Sequence, residues 1–196
     1  MAAIDPALRR AVATVAILNG LYFGVEFAVA LSIGSVSLFA DSVDFLEDTS
    51  VNILILLALG WSAKARARVG MALAAILLVP AAATLITAWQ KFSSMTPPEP
   101  LALSITGAGA LAINLFCAVL LARYRDHSGG LTKAAFLSAR NDAIANVAII
   151  AAGLVTAFVW QSPWPDIVVG LAIGVLNADA AREVFSAARE EHDAAA

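Results

Sequence analysis

The chain has 196 residues, of which 61% are hydrophobic and 14% charged, with a formal net charge of −3 and a mean hydropathy of +0.84. Those values exclude a soluble globular domain, in which about 25% of residues are charged, and the slightly acidic balance offers no basic surface to a nucleic acid. An all-α integral membrane protein is the class that remains.

A bilayer-crossing helix needs roughly 20 mostly apolar residues. Six such stretches follow one another, at about 11–32, 36–60, 69–90, 101–122, 134–159 and 166–187. They divide the chain into a cytoplasmic N-terminal tail (1–10), a six-helix transmembrane domain (11–188) and a short cytoplasmic tail (189–196) with no C-terminal domain. The first stretch follows Arg9 and Arg10, is too long for a signal-peptide core and shows no small-residue cleavage site, so it reads as a retained helix.

The second stretch interrupts its own oiliness. ADSVDFLEDTSVN, from Ala40 to Asn52, carries Asp41, Asp44, Glu47 and Asp48 between apolar flanks. Each charge near a helix centre costs about 2.5–3.5 kcal/mol on insertion scales, so the four acids facing lipid would cost roughly 10 kcal/mol. At about 100° per residue, Asp41, Asp44, Asp48 and Asn52 fall within an arc of roughly 80°, with Glu47 to one side. A rise of about 1.5 Å per residue from Val36 puts Asp44 and Asp48 near mid-bilayer.

The third stretch is rich in small residues, and Pro80 is expected to kink it. The fourth holds Asn114 and the single cysteine, Cys117, which alone builds neither a disulfide nor a thiolate metal site. In the fifth, AFLSARNDAIANVAII sets Ser138, Asp142 and Asn146 on one side by i, i+4 spacing, with Asp142 at about the depth of the second stretch's acids. Arg140 projects away from Asp142, toward the inner surface or a pairing with Glu47 or Asp179. In the sixth, Asp166 after Pro165 reads as an N-cap. His127 and His192 fall in a loop and a tail, where solvated side chains are expected.

Arg9, Arg10, Lys64, Arg66, Arg68, Arg123, Arg125, Lys133, Arg182 and Arg189 gather on one side of this topology, against Lys91 on the other. Lys and Arg favour the cytoplasmic side, so both termini are expected there, while Trp89, Trp160 and Trp164 suit the opposite interface. Three carboxylates meeting at one depth need a proton or a cation among them, and a divalent cation is the economical choice.

These residues resemble a family. LNGLYFGVEFAVALSIGSVSLFADSVDFLED is similar to the first two helices of the cation diffusion facilitator family, including Asn19, Glu26, the GSVS turn and the acidic helix start; RNDAIANVAIIAAG and WPDIVVGLAIGVL are similar to its fifth and sixth. The resemblance implies a six-helix bundle in the cell membrane (the inner membrane, if bacterial). It implies a non-enzyme that exports a divalent metal against protons by alternating access. The family's transport site follows H/D-x-x-x-D and H-x-x-x-D; Asp44, Asp48 and Asp142 match, and Ser138 stands where histidine is usual. Water, Asn141 or Asn146 would fill the missing position, and Asp41, Glu47, Asn52, Glu26 and Asn19 are further ligand or pathway candidates.

Zinc is the family's commonest cargo, whereas an oxygen-only site suits Mn²⁺, Co²⁺ or Fe²⁺ without excluding Zn²⁺ or Cd²⁺. Burial and mutual repulsion favour protons on the carboxyls until metal displaces them. The family's usual cytoplasmic domain after the sixth helix is not expected here, which places the chain with a short branch. A homodimer would then form through the membrane helices, by Gly170 with Gly174 or by the third helix. The rival class, a CDP-alcohol phosphotransferase, also ends a metal site in D-x-x-x-D but needs an upstream D-G-x-x-A-R, which nothing before Asp44 supplies.

Overall fold

The structure, a computed structural model, describes residues 6–58, 62–123 and 130–194, with some helical side chains, among them Pro80, Ser138 and His192, left outside that description. The expected kink at Pro80 and the readings of His127 and His192 therefore fall outside the described residues. Six helices are described: α1 (Pro6–Ile33), α2 (Val36–Ala58), α3 (Ala63–Ser94), α4 (Pro100–Ala122), α5 (Gly130–Phe158) and α6 (Trp164–Ala194). In lipid, backbone N–H and C=O groups must bond within their own segment, which is why each apolar stretch is a helix.

Polar flanks lengthen several of them. α1 begins at Pro6, whose missing N–H is one that a helix start leaves unbonded anyway. α6 continues through Arg189 and Glu190 to Ala194, residues with good helix propensity, so much of both expected tails is helical. Gly34 joins α1 to α2 at φ 62°, a left-handed conformation that glycine adopts without a Cβ penalty. Ser62 accepts from Ala65 N to cap α3, and Glu99 accepts from Leu101 N and Ala102 N to cap α4.

Among the described residues, four helices are long and apolar enough to cross a membrane by length and composition: α1, α4, and the segments Ala139–Phe158 and Trp164–Glu183 of α5 and α6. α2 carries the acids, and α3 opens with Lys64, Arg66 and Arg68.

The most extensive packing joins α1 with α2, α3 with α6 and α4 with α5, but among the described residues α2 alone touches all five other helices. Its first two turns, Val36 to Val43, are buried throughout. The helix least suited to lipid is thus the hub of the bundle, and its acids face protein. Ile17, Leu21 and Val25 of α1, Leu101, Ile105 and Val119 of α4, Ile144, Val147 and Leu154 of α5, and Val168 and Val175 of α6 are exposed instead, the apolar-out pattern that lipid selects.

Two apolar clusters bracket a polar layer. Near the end holding the proline-bearing turns, Ala30, Leu38, Phe39, Ala40, Val43, Leu103, Ile149 and Ile173 pack together. Toward the basic end, Val15, Cys117, Ala118, Leu121 and Ala139 form the second cluster. Close approach of α6 to α2 depends on Gly170, where an added Cβ would lie 2.6 Å from the Val36 carbonyl carbon; at Gly174 it would lie 3.1 Å from Thr84 of α3. The two glycines expected at a dimer contact are therefore engaged inside the chain, because small residues here let α6 reach two neighbours at once.

Candidate cation site

The acidic stripe of α2 divides according to which helix faces it. Asp41 is fully buried and accepts a 2.6 Å bond from Asn146 Nδ2 of α5. One turn further, Asp44, Glu47 and Asp48 line a pocket of about 240 Å³ with Asn141 and Asp142 of α5 and Asn177, Asp179 and Glu183 of α6. Glu47, expected to one side, joins them because α6 as well as α5 flanks this part of α2, which widens the polar face.

Amide side chains hold the acids in place. Asn19 of α1, fully buried, donates from Nδ2 to Asp48 Oδ2 at 3.2 Å, and the Cys117 thiol lies 3.8 Å from Asn19 Oδ1 as its donor. Asn114 of α4 donates from Nδ2 to Asn146 Oδ1 at 3.3 Å, and Asn146 in turn donates to Asp41. An asparagine on α1 thus orients an acid of α2, and one on α4 orients an asparagine of α5. Asn146 is committed to this buried layer and does not line the pocket, whereas Asn141 does. Asn52 bonds its own helix, Nδ2 to the Asp48 carbonyl at 2.7 Å, and also stands off the pocket. Glu26 is fully buried among the same layer, with no donor to either oxygen among the described residues.

Ser138 lies on α5, but its side chain is outside the described residues. Arg140 is exposed and donates to Asn141 Oδ1 at 3.2 Å, so among the described residues it steadies a pocket amide rather than pairing with Glu47 or Asp179. The contribution of α6 is not legible in the sequence. Asp179 and Glu183 stand at i, i+4 spacing, the signal that marks Asp44 and Asp48, but they occur where the helix turns polar and resemble an ordinary solvated end.

The opposite end is shut by Asp166. It does not cap its own helix, because α6 already begins at Trp164. Instead its Oδ2 accepts from Val36 N at 2.8 Å and its Oδ1 from Ser37 N at 3.1 Å, and the Ser35 and Ser37 hydroxyls each donate at 2.6 Å. One buried carboxylate thereby satisfies the first N–H groups of α2, where the helix dipole also favours negative charge.

From the acids of α2 the pocket extends along α6 to Glu183, toward the basic end. Its volume accommodates several waters at about 30 Å³ each. Among the described residues no three His, Cys, Asp or Glu side chains stand close enough to clasp one ion between them; the carboxylates line a common pocket. Such a space concentrates cations and selects oxygen-seeking ones.

The sequence pattern of the cation efflux transmembrane domain matches residues 12–191, which takes in every residue of the pocket and the buried polar layer. No curated protein matches the chain at a significant level. The chain belongs to the cation efflux, or cation diffusion facilitator, family: an all-α, multi-pass membrane protein that transports divalent cations and is not an enzyme.

Proposed function

We propose that the protein exports a divalent metal ion in exchange for protons, with Asp44 and Asp48 of α2 and Asp142 of α5 as its carboxylate ligands. The observation that carries this reading is the pocket itself, where acids of α2, α5 and α6 line one space with Asn141 as a neutral oxygen donor. Ser138, one turn before Asp142 on α5, is the remaining ligand position, completed by water. Zn²⁺ is the cargo that kinship favours, and the oxygen donors also admit Mn²⁺, Co²⁺, Fe²⁺ and Cd²⁺.

Six crossings with both termini in the cytoplasm follow from the basic residues, so the pocket is the inward-facing one. Access alternates when the Asp166 end opens and the Glu183 end closes; protons return the empty site as metal carries the loaded one. A homodimer would use the outer face of α3, where Val79, Leu85, Ile86 and Trp89 are exposed.

Purified protein in liposomes tests the whole reading. With a proton gradient imposed, a panel of the five ions should show uptake of at least one, coupled to counterflow of protons, and Asp48→Asn should abolish it. Metal movement that ignores the proton gradient would end the antiport reading, and full activity in Asp48→Asn would end the ligand assignment.

A further inference from the structure

Glu26 and Asp41 are both fully buried, and each carboxyl lies within interaction range of the other. Among the described residues, three of their four oxygens, both of Glu26 and Oδ1 of Asp41, meet no donor; the fourth accepts from Asn146 Nδ2. Two ionised carboxylates in that position would leave three anionic oxygens without a partner away from water, a desolvation that nothing nearby offsets.

Among the described residues no neighbouring element offers relief. On α1 the Tyr22 hydroxyl is engaged, donating to the Thr106 carbonyl of α4 at 2.7 Å. On α2 the charged groups that act on the pair, Asp44 on Glu26 and Asp48 on Asp41, are both acidic. α4 faces the layer with Asn114, whose Nδ2 is bonded to Asn146; α5 faces it with Asn146, and its acid Asp142 lies at the pocket. From α6, Asn177 donates to the Ala40 carbonyl. Lys91 of α3 is directed to Gly34 and Asp166. Neither Glu26 nor Asp41 lines the cation pocket, and Asp41 lies about 4.5 Å nearer the Asp166 end than Asp44 by helix rise.

We infer that Glu26 and Asp41 form a proton-binding site of their own, a sealed carboxyl pair holding a single proton between them and separate from the cation pocket. One proton turns an acceptor–acceptor contact into a donor–acceptor one and removes one of the two charges, which is how paired carboxyls at close range persist. The pair's use in exchange rests on the transport reading; its existence rests only on its burial and its missing donors.

Infrared spectra of the metal-free protein in lipid nanodiscs at neutral pH test it. The wild type should show the carbonyl stretch of a buried, protonated carboxyl. Glu26→Gln supplies an amide donor to Asp41, and Asp41→Asn supplies one to Glu26. Each should remove acid-band intensity equal to one carboxyl, and the double variant should remove no more. Where one variant fails to fold, the other carries the same test. Unchanged intensity in both singles, a loss of two carboxyls in the double, or a metal ion found in the purified wild type and absent from Glu26→Gln would each overturn the inference. A wild type that moves no metal in liposomes would count against transport and leave the band, and the pair, in place.

Discussion

Asp48 is aimed by Asn19, whose Nδ2 bonds one carboxylate oxygen at 3.2 Å and leaves the group facing the pocket. Removing a partner that orients a metal ligand typically costs about 10–100-fold in affinity. Asn19→Ala should therefore weaken metal binding by about that factor in calorimetric titration at fixed pH, with folding largely intact; binding within about twofold of wild type would mean Asp48 needs no such support. The pH dependence follows from competition between metal and protons for the same oxygens. In the proposed exchange, binding releases protons, so apparent affinity should rise with pH, by about tenfold per pH unit for each proton displaced, and titrations across neutral pH read that slope. Asp44, Asp48 and Asp142 are legible in sequence because acids buried in apolar runs cost too much in lipid to be incidental. Glu26 stands alone on its helix, and nothing local identifies Asp41 as its partner.

At the scale of the helix, α2 is governed by its neighbours. Asp166, 130 residues from Val36, supplies the acceptors that a cap residue supplies within its own helix, and Gly170 lets α6 come close enough to deliver them. An N-cap is worth about 0.5–2 kcal/mol and a hydrogen bond to a charged group about 1.5–3. Asp166→Ala should thus lower stability by at least about 2 kcal/mol, seen as an earlier thermal transition in detergent. Gly170→Leu forces a side chain into the α2 backbone and should destabilise by about 1–3 kcal/mol; a melting temperature equal to wild type would show that α6 can withdraw without loss. Helix positions are readable from hydropathy to within a few residues. The role of Asp166 is not, since its placement after Pro165 suits a local cap equally well and only the packing of α6 on α2 distinguishes the two.

Across the whole molecule, the pocket reaches one end of the bundle while apolar packing and the Asp166 contacts close the other. On a Cys117→Ser background, Ala180→Cys, exposed beside the pocket, should react with a membrane-impermeant thiol reagent only from the cytoplasmic face. Thr96→Cys, in the turn between α3 and α4, should react only from the outside. The reverse pattern would invert the proposed orientation.

Taken alone, the order of amino acids settled that the chain is a helical membrane protein and that α2 and α5 carry acids inside apolar stretches, because both conclusions rest on periodicity and on the cost of charge in lipid, which act within single segments. Tertiary structure decided which acids share a space. It turned Asp41 toward Glu26 and Asn146, brought Glu47, Asp179 and Glu183 to the pocket, and set Asp166 against α2. Those outcomes depend on which helices touch, and contact between helices follows from how closely small residues let backbones approach, a property of pairs of segments that no single segment displays.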